Sequence, residues 1–191
     1  MKLKLKNSQN LKYSIVIGLI MLRVIFDTNI YGLIIKEKDA NEIERKIRED
    51  KEFVVYGYQP IRQEIREIPK ITKLSKKARI QILRLYDSIT GKHFLSNSIN
   101  ITNLAKKYYG CYRNFGGIYG WDTSIRIDFM IVACASINKL DIVYSADNRT
   151  LLSKQALKAY KHINIKESLK LPTFFTYEEL LVRFKNPNPS I

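Results

Sequence analysis

The chain contains few of the residues that build zinc sites, disulfide frameworks and histidine-assisted nucleophiles. It has two cysteines, Cys111 and Cys134, and two histidines, His93 and His162, among 191 residues. Their positions match none of the spacings that such sites require, which disfavours these classes of chemistry. Cys134 lies in an apolar run and is predicted to be a small core residue. The scarcity of cysteine favours a cytoplasmic protein.

The phosphate-binding loops of common nucleotide enzymes are also missing. The sequence has no GxGxxG stretch and no glycine-rich loop ending in Lys-Ser or Lys-Thr. A phosphatase of the haloacid dehalogenase type would need a second aspartate two residues after the first, and Asn29 stands two residues after Asp27. Dinucleotide-binding, P-loop and phosphatase classes are therefore disfavoured.

Acidic residues are scarce relative to basic ones. The chain has 33 Lys and Arg against 18 Asp and Glu, a formal net charge of +15 at pH 7. This balance favours a polyanionic partner, nucleic acid before an acidic membrane surface. The alternative is that lysine is abundant in all proteins of the source. A hydrophobic content of 46% and the chain length indicate one globular domain.

No apolar run is long enough to cross a membrane. The run from Tyr13 to Leu22 has 10 residues and no small-residue cleavage site after it. We therefore predict no membrane anchor, with an anchored amino terminus as the alternative. Residues 1–20 are interpreted as a short extension or a misassigned start, residues 21–185 as the domain, and residues 186–191 as a polar tail.

Stretches of β-forming residues alternate with helical patterns along the domain. Strands are predicted over 24–26, 53–58 and 141–147, and within 172–176. A helix from Ile99 is predicted to end at Gly110, before a glycine- and aromatic-rich loop over 111–122. An apolar helix over 123–140 is expected in the core. The alternation predicts a single α/β domain with a mostly parallel sheet flanked by helices.

Four carboxylates fall where this arrangement would bring them to one edge of the sheet. Asp27 and Asp147 each end a predicted strand, and parallel strands end at the same edge. Glu64 follows the second strand, on a helix that opens at Pro60. Asp128 lies in the run RIDFMIVACA, where a charge among apolar residues needs a partner.

Each of these carboxylates also has a structural interpretation. Asp27 would cap a helix, and Glu64 would be an exposed helical residue. Asp128 would lie in the first turn of a helix, where the helix dipole favours a carboxylate, and Asp147 would form a turn. All four together, in a basic protein, favour a functional site. Carboxylates gathered in one place repel each other, and oxygen ligands without histidine or cysteine suit Mg²⁺ or Mn²⁺.

The stretches VIFDTN, DFMIVACA and VYSAD, with an acid after the second strand, resemble the four signatures of PIN domains. The matching acids are Asp27, Glu64, Asp128 and Asp147, separated by 37, 64 and 19 residues. Glu67, one turn after Glu64, is the alternative second acid. The resemblance covers about residues 22 to 184 and implies a PIN-like fold with a five-stranded parallel sheet.

The resemblance also implies an activity, that of a Mg²⁺- or Mn²⁺-dependent endoribonuclease. Such enzymes cleave RNA with metal-activated water and leave a 5′-phosphate. Many are toxins of the VapC type, which pair with an antitoxin protein, and many form homodimers. The alternatives are a PIN nuclease that processes RNA without an antitoxin, and a catalytically silent RNA-binding or scaffold protein.

The resemblance and the residue chemistry together assign roles to the acids and their polar neighbours. Asp27, Asp128 and Asp147 are expected to hold the metal, and Glu64 to hold a second metal or orient the water. Small polar residues near the ligands are expected to hydrogen-bond the carboxylates or the phosphate. These are Asn29 and Ser145, whereas Thr28 is expected only to cap a helix.

Two segments are predicted to contact RNA. Tyr112 and Trp121, in the aromatic-rich segment before Asp128, are candidates for stacking on unpaired bases. Alternatively, these rings pack as a loop core or form a dimer or antitoxin surface. A basic cluster at the start of a long helix either holds phosphates or is a solvated face. Its members are Lys73, Lys76, Lys77 and Arg79.

Overall fold

One five-stranded sheet runs through the part of the chain that the computed structural model describes, residues 21–68, 73–122 and 125–185. The strands are Leu22–Phe26 (β1), Phe53–Tyr58 (β2), Phe94–Leu95 (β3), Ile142–Tyr144 (β4) and Thr173–Phe175 (β5). All neighbouring strands are parallel, in the order β3-β2-β1-β4-β5. The predicted α/β class with a parallel sheet is confirmed.

Strand β1 lies at the centre of the sheet. Val24 is in register with Val55 of β2 and with Ile142 of β4. Val24, Ile25 and Phe26 are fully buried. A parallel strand covered on both faces needs such a continuous apolar run, so the residues that predicted this strand also explain its central place.

Eight helices flank the sheet within the described ranges. The apolar helix predicted over 123–140 is observed as Ile125–Ile137, and nearly all of it is buried, as expected of a helix without a polar face. The helices are Thr28–Ile34 (α1), Ala40–Glu49 (α2), Gln59–Glu67 (α3), Lys73–Thr90 (α4), Ile99–Asn114 (α5), Ile125–Ile137 (α6), Lys154–Lys166 (α7) and Tyr177–Lys185 (α8).

Because the strands are parallel, the sheet has an amino edge, where strands begin, and a carboxyl edge, where they end. Helix α1 follows β1 directly at the carboxyl edge, and α3 follows β2 there with Pro60 in its first turn. Pro is tolerated in that turn because its missing N–H would have no helical partner. The carboxyl edge therefore carries the residues that follow β1, β2 and β4.

The predicted end of helix α5 at Gly110 is wrong. The helix continues for one more turn to Asn114, and Gly116 takes the positive φ of 82° just beyond it. A glycine within a helix costs about 1 kcal/mol. Tyr108 and Tyr112, both buried, lie on either side of Gly110, and their packing outweighs that cost.

Two other boundaries differ from the sequence prediction. Strand β3 was not predicted, because two residues carry no periodicity, and it exists through pairing of Phe94 with Gly57. The strand predicted over 141–147 ends at Tyr144. Ser145 to Ser153 then form a loop, so that Asp147 lies beyond the strand, and Ser153 caps α7.

None of the helices in the described ranges has the length and apolar character needed to cross a membrane. The predicted extension over residues 1–20 and the tail over 186–191 lie outside the described residues, and these boundaries stay predictions.

Candidate active site

Asp27 lies at the carboxyl edge, between β1 and α1, with 4% of its surface exposed. Its Oδ1 accepts a hydrogen bond of 2.6 Å from the Thr28 backbone N–H, so it caps α1. Its Oδ2 accepts from Asn29 Nδ2 at 2.5 Å and from Ser145 Oγ at 2.7 Å. The helix-capping interpretation is thus correct, but it accounts for only one of the two oxygens.

Asn29 and Ser145 also tie the end of β1 to the loop after β4. Asn29 Oδ1 accepts from the Ala146 backbone N–H at 3.1 Å, and Ser145 Oγ accepts from the Asp147 backbone N–H at 3.0 Å. Both residues were predicted to hydrogen-bond the ligands, and both contact Asp27. Their other bonds hold the loop that carries Asp147 beside it.

Asp147 organises that loop as a turn. Its Oδ1 accepts from the backbone N–H groups of Arg149 at 2.8 Å and Thr150 at 2.9 Å. Partial burial opposes its ionisation. The hydrogen bonds from the Thr150 hydroxyl and these two N–H groups outweigh burial and lower the pKa of Asp147. Asp147 is therefore the carboxylate of the four that is held most firmly as an anion.

Asp128 faces Asp147 across the hydroxyl of Thr150. That hydroxyl lies within hydrogen-bond distance of Asp128 Oδ2 and, at 2.6 Å, of Asp147 Oδ2. One hydroxyl hydrogen serves only one of the two carboxylates. Asp128 and Thr150 are both buried, at 6% and 5% exposure. Thr150 thus joins two acids that are 19 residues apart in sequence.

Sequence reasoning missed Thr150. The available signal was its spacing, because a residue three positions after a turn-forming aspartate offers a backbone N–H to that aspartate. Nothing in the sequence showed that the same residue would reach Asp128, which lies on a different element.

Glu64 joins the cluster from helix α3. The hydroxyl of Thr28 donates to Glu64 Oε2, so Thr28 does more than the helix capping expected of it. Glu67, the alternative second acid, is exposed and accepts from Gln63 Nε2 at 3.0 Å. Of the two glutamates, Glu64 is the one that contacts a neighbour of Asp27.

Burial and mutual repulsion raise the pKa values of three of the acids. Burial raises the pKa of Asp27 to about 6, and the charges of Glu64 and Asp147 add to this effect. Burial, followed by the charge of Asp27, raises the pKa of Asp128 well above its usual value. Burial, and then the charge of Glu67, raises the pKa of Glu64. The acids are close enough to oppose each other's ionisation.

No basic side chain forms an ion pair with any of the four acids among residues 21–68, 73–122 and 125–185. Their partners are hydroxyls, one side-chain amide and backbone N–H groups. Burial of carboxylates without a neighbouring cation destabilises the folded protein unless a cation binds to them. Their oxygens are the ligands that Mg²⁺ and Mn²⁺ prefer.

The acids do not form a ready-made cage. Within the described ranges, no group of three or more His, Cys, Asp or Glu side chains is arranged to hold a metal ion. Mg²⁺ does not need such a cage, since it commonly binds through one or two carboxylates and keeps several waters. The donor chemistry of these carboxylates, rather than a preformed geometry, therefore fits a divalent cation.

Comparison with known proteins bears on the fold. The sequence matches no protein-family model and no curated protein. The structure is similar to a chain of VapBC2 from Rickettsia felis, crystallised with a DNA fragment from the promoter. The two share 12% identity at a TM-score of 0.52, over 81% of this chain and 98% of that chain. The fold is PIN-like. At this identity, the similarity extends to the fold alone.

Two grooves open beside the acids of this PIN-like fold. One, of about 550 Å³, is lined by Glu64, Trp121 and Arg126 among others. A second, of about 650 Å³, is lined by Asp147 and Arg149 among others. Each groove thus shares one acid with the carboxylate cluster, and each also carries basic residues.

Tyr112, one predicted base-stacking residue, is not available for that role. Its ring is 2% exposed, and its hydroxyl accepts from the backbone N–H groups of Ile118 at 3.1 Å and Tyr119 at 3.3 Å. Gly117 lies against the ring so closely that a Cβ there would stand 2.1 Å from it. For Tyr112, the loop-core alternative is correct. Trp121 differs, because it is only half-buried and lines the first groove.

The basic cluster of α4 stays a prediction. Lys76 and Lys77 are exposed and Arg79 is half-buried, while the Lys73 side chain lies outside what the structure describes. Lys76, Lys77 and Arg79 do not line the two grooves beside the acids. The basic residues that do are Lys106 and Arg126 in the first groove and Lys36 and Arg149 in the second.

Proposed function

We propose that this protein is a divalent-metal-dependent endoribonuclease whose active site is the carboxylate cluster at the carboxyl edge. One observation carries the proposal. A chain of hydrogen bonds through Thr28, Ser145 and Thr150 links all four acids, and none of the acids has a basic side chain as its ion-pair partner in the described ranges. A purely structural cluster would be expected to contain a basic residue, because like charges otherwise destabilise it.

In this proposal, Asp27, Asp128 and Asp147 hold Mg²⁺ or Mn²⁺. When bound, the metal neutralises charge on the phosphate and lowers the pKa of water. The polar neighbours keep the carboxylates in position, since Asn29 and Ser145 hold Asp27 and Thr150 holds Asp128 and Asp147. Metal sites commonly depend on such supporting hydrogen bonds.

Glu64 is proposed to orient the attacking water and take up its proton. Its pKa is raised by burial, which makes it a better base than an exposed glutamate. The water oxygen forms a bond to phosphorus while the bond from phosphorus to the 3′-oxygen breaks. The leaving 3′-oxygen takes up a proton, and the products are a 3′-hydroxyl and a 5′-phosphate.

RNA is the proposed substrate because of the charge around the cluster. Lys106 and Arg126 line one adjoining groove, and Lys36 and Arg149 line the other. A single strand crossing from one groove to the other would bring a phosphate to the acids between them. Phosphate binding by such residues would be sensitive to salt.

We also propose that the protein is the toxin of a type II toxin–antitoxin pair. The support is its similarity to a chain of the VapBC2 complex, joined to the sequence resemblance. The proposal predicts an adjacent small gene whose product co-purifies with this chain and blocks cleavage. A homodimer within that complex is part of the proposal. If no such product exists, an RNA-processing nuclease of the same fold is the better assignment.

The deciding experiment compares RNA cleavage by the wild type and Asp27→Asn, each with Mn²⁺ and with EDTA. We expect cleavage only by the wild type with Mn²⁺, leaving 5′-phosphate ends. A Mn²⁺-dependent rise in Tm of the wild type, absent in Asp27→Asn, would report the metal separately. Activity in EDTA or in Asp27→Asn would overturn the site assignment. A protein that neither cleaves RNA nor responds to Mn²⁺ would be a silent scaffold.

A further inference from the structure

The groove beside Glu64 combines an indole ring, side-chain amides and basic residues. Trp121 is the only tryptophan of the chain, and its ring is half-buried. It contacts Tyr109 at 5.3 Å between ring centroids with the planes tilted by 55°. The other lining residues with hydrogen-bonding or charged groups include Gln59, Gln63, Asn97, Lys106 and Arg126.

We infer that this groove is a subsite that binds and discriminates one unpaired nucleobase next to the cleaved phosphate. The inference rests on the proposed ribonuclease function, and it adds a base preference and the residues that set it. Trp121 stacks on the base, the amides of Gln59 and Asn97 hydrogen-bond its edge, and Lys106 and Arg126 bind the flanking phosphates.

Each of the two exposed amides has its oxygen in one hydrogen bond within the protein. Asn97 Oδ1 accepts at 2.8 Å from the hydroxyl of Tyr58, whose side chain is buried. The Asn97 backbone N–H donates at 3.3 Å to Gln59 Oε1. Both amide oxygens are thus engaged, which leaves the NH₂ groups for a ligand. Such NH₂ donors suit the carbonyl and ring-nitrogen acceptors of a base.

The Asn97 NH₂ group has room for a second partner. It makes one long hydrogen bond, 3.4 Å, to Thr102 Oγ1, and an amide nitrogen carries two hydrogens. Gln59 Nε2 makes no hydrogen bond to another residue in the described ranges. These donors lie in the same groove as Trp121. One planar ligand can therefore stack on the indole ring while the amide NH₂ groups hydrogen-bond its edge.

The mixture of groups favours RNA over a peptide as the occupant. Lys106 and Arg126 are exposed and line the groove, together with the acids Glu64 and Glu67. A nucleotide presents an uncharged base and a charged phosphate, which matches amides and an indole beside basic residues. Base stacking on an aromatic ring gains about 1–3 kcal/mol per base, so Trp121 is expected to be the main contact.

The first test uses Trp121 itself as the probe, because no other tryptophan contributes to fluorescence. Asp27→Asn protein in EDTA, in which RNA stays intact, is titrated with octamers of A, C, G or U and with an abasic ribose-phosphate octamer of equal charge. We expect the base-containing octamers to quench the fluorescence, one of them at a several-fold lower concentration, and the abasic octamer to leave it unchanged. Equal quenching by the abasic octamer, or none by any RNA, would overturn the subsite.

The second test measures which residues set the preference. Gln59→Ala and Asn97→Ala are each expected to reduce the ratio between the best and worst octamer about 3- to 10-fold, the value of one lost hydrogen bond. Lys51→Ala, an exposed residue before β2, is the matched control and should leave that ratio unchanged. If both amide variants keep the wild-type ratio, the groove does not read bases.

These outcomes separate the subsite from the proposed function. Metal-dependent RNA cleavage by the wild type without quenching of Trp121 would retain the nuclease and overturn the subsite. Base-dependent quenching without cleavage would retain the subsite and overturn the nuclease. Quenching by an acidic peptide of the same charge as the octamers, and by no RNA, would identify the groove as a protein-binding surface and overturn the inference.

Discussion

The carboxylates at the two edges of the sheet differ in their partners. At the amino edge, Asp141 accepts from the Arg23 backbone N–H at 2.8 Å and pairs with the Lys170 ammonium. Asp50, before β2, pairs with Arg183 at 2.8 Å. At the carboxyl edge, Asp27 and Asp128 have no basic side-chain partner among the described residues and adjoin other acids instead.

The pKa values of Asp141 and Asp27 shift in opposite directions, whereas that of Asp147 is lowered by the hydrogen bonds of its turn. Burial opposes ionisation of Asp141, but the Lys170 ammonium and the Arg23 N–H outweigh it, so the pKa of Asp141 is lowered. The pKa of Asp27 is raised to about 6, with burial as the main cause. Asp27 and Asp128 thus lack the basic partner that the protein places beside Asp141. Uncompensated carboxylates concentrated at a ligand-binding edge are typical of a functional site.

The largest expected effect on RNA cleavage comes from replacing one acid at the carboxyl edge, with one acid at the amino edge as the control. Asp128→Asn should lower RNA cleavage on the order of 10²–10³-fold, the range for loss of one preorganised electrostatic group. Asp141→Asn, the matched control, should stay within about 3-fold, because an exposed ion pair contributes at most about 1 kcal/mol. Initial rates on one RNA with Mn²⁺ provide the measurement. Equal losses in the two variants would mean that the edges do not differ in function.

Thr150 gives the next largest effect. Thr150→Val removes the hydroxyl between Asp128 and Asp147 and keeps the shape of the side chain. We expect a loss of about 10- to 100-fold in apparent Mn²⁺ affinity, as for other residues that support metal ligands. Thr150→Ser should restore most of it. An unchanged Mn²⁺ titration in Thr150→Val would show that the hydroxyl does not position the acids.

A third prediction concerns stability and pH. Asp27 has a folded-state pKa near 6, above its ordinary value, so the folded state binds the proton more tightly than the unfolded state. In EDTA, the protein should therefore gain stability as pH falls from 7.5 to 5.5. Asp27 alone contributes about 1 kcal/mol, or about 2–4 °C in Tm.

Variants test the sign of that effect. Asp27→Asn should be more stable than the wild type at pH 7.5 in EDTA and should lose part of the pH dependence. Asp141 has a lowered pKa, so its contribution to stability is present at neutral pH and is lost only in acid. Asp141→Asn should therefore leave the rise in Tm between pH 7.5 and 5.5 intact. Thermal melts at the two pH values measure both. A wild-type Tm that falls on acidification to pH 5.5 would contradict the account.

The smallest expected effect concerns single cations. Lys106→Ala should weaken RNA binding about 3-fold. It should also reduce the slope of log affinity against log salt by about the amount that one phosphate contact contributes. Lys51→Ala, at the amino edge, should change neither quantity. Binding of labelled single-stranded RNA at several salt concentrations provides the measurement. The same loss in both variants would indicate a general effect of net charge.

Local sequence patterns predicted much of this architecture. The run Val24–Phe26, the strand Phe53–Tyr58 and the apolar helix carrying Asp128 were all recognisable from composition and periodicity. Carboxylates that follow parallel strands must share an edge, so the convergence of Asp27 and Asp147 could also be predicted. These features depend on residues that are neighbours along the chain.

The tertiary structure decided the features that depend on distant residues. Thr150 reaches Asp128 because the fold brings the loop after β4 to α6, and Thr28 meets Glu64 of α3. Tyr112 is covered by Gly117 and is lost as a base-stacking residue. Sequence alone determined which residues carry charge and roughly where each element lies. Packing determined which of them touch, because contacts between elements depend on rotation and depth that local patterns do not encode.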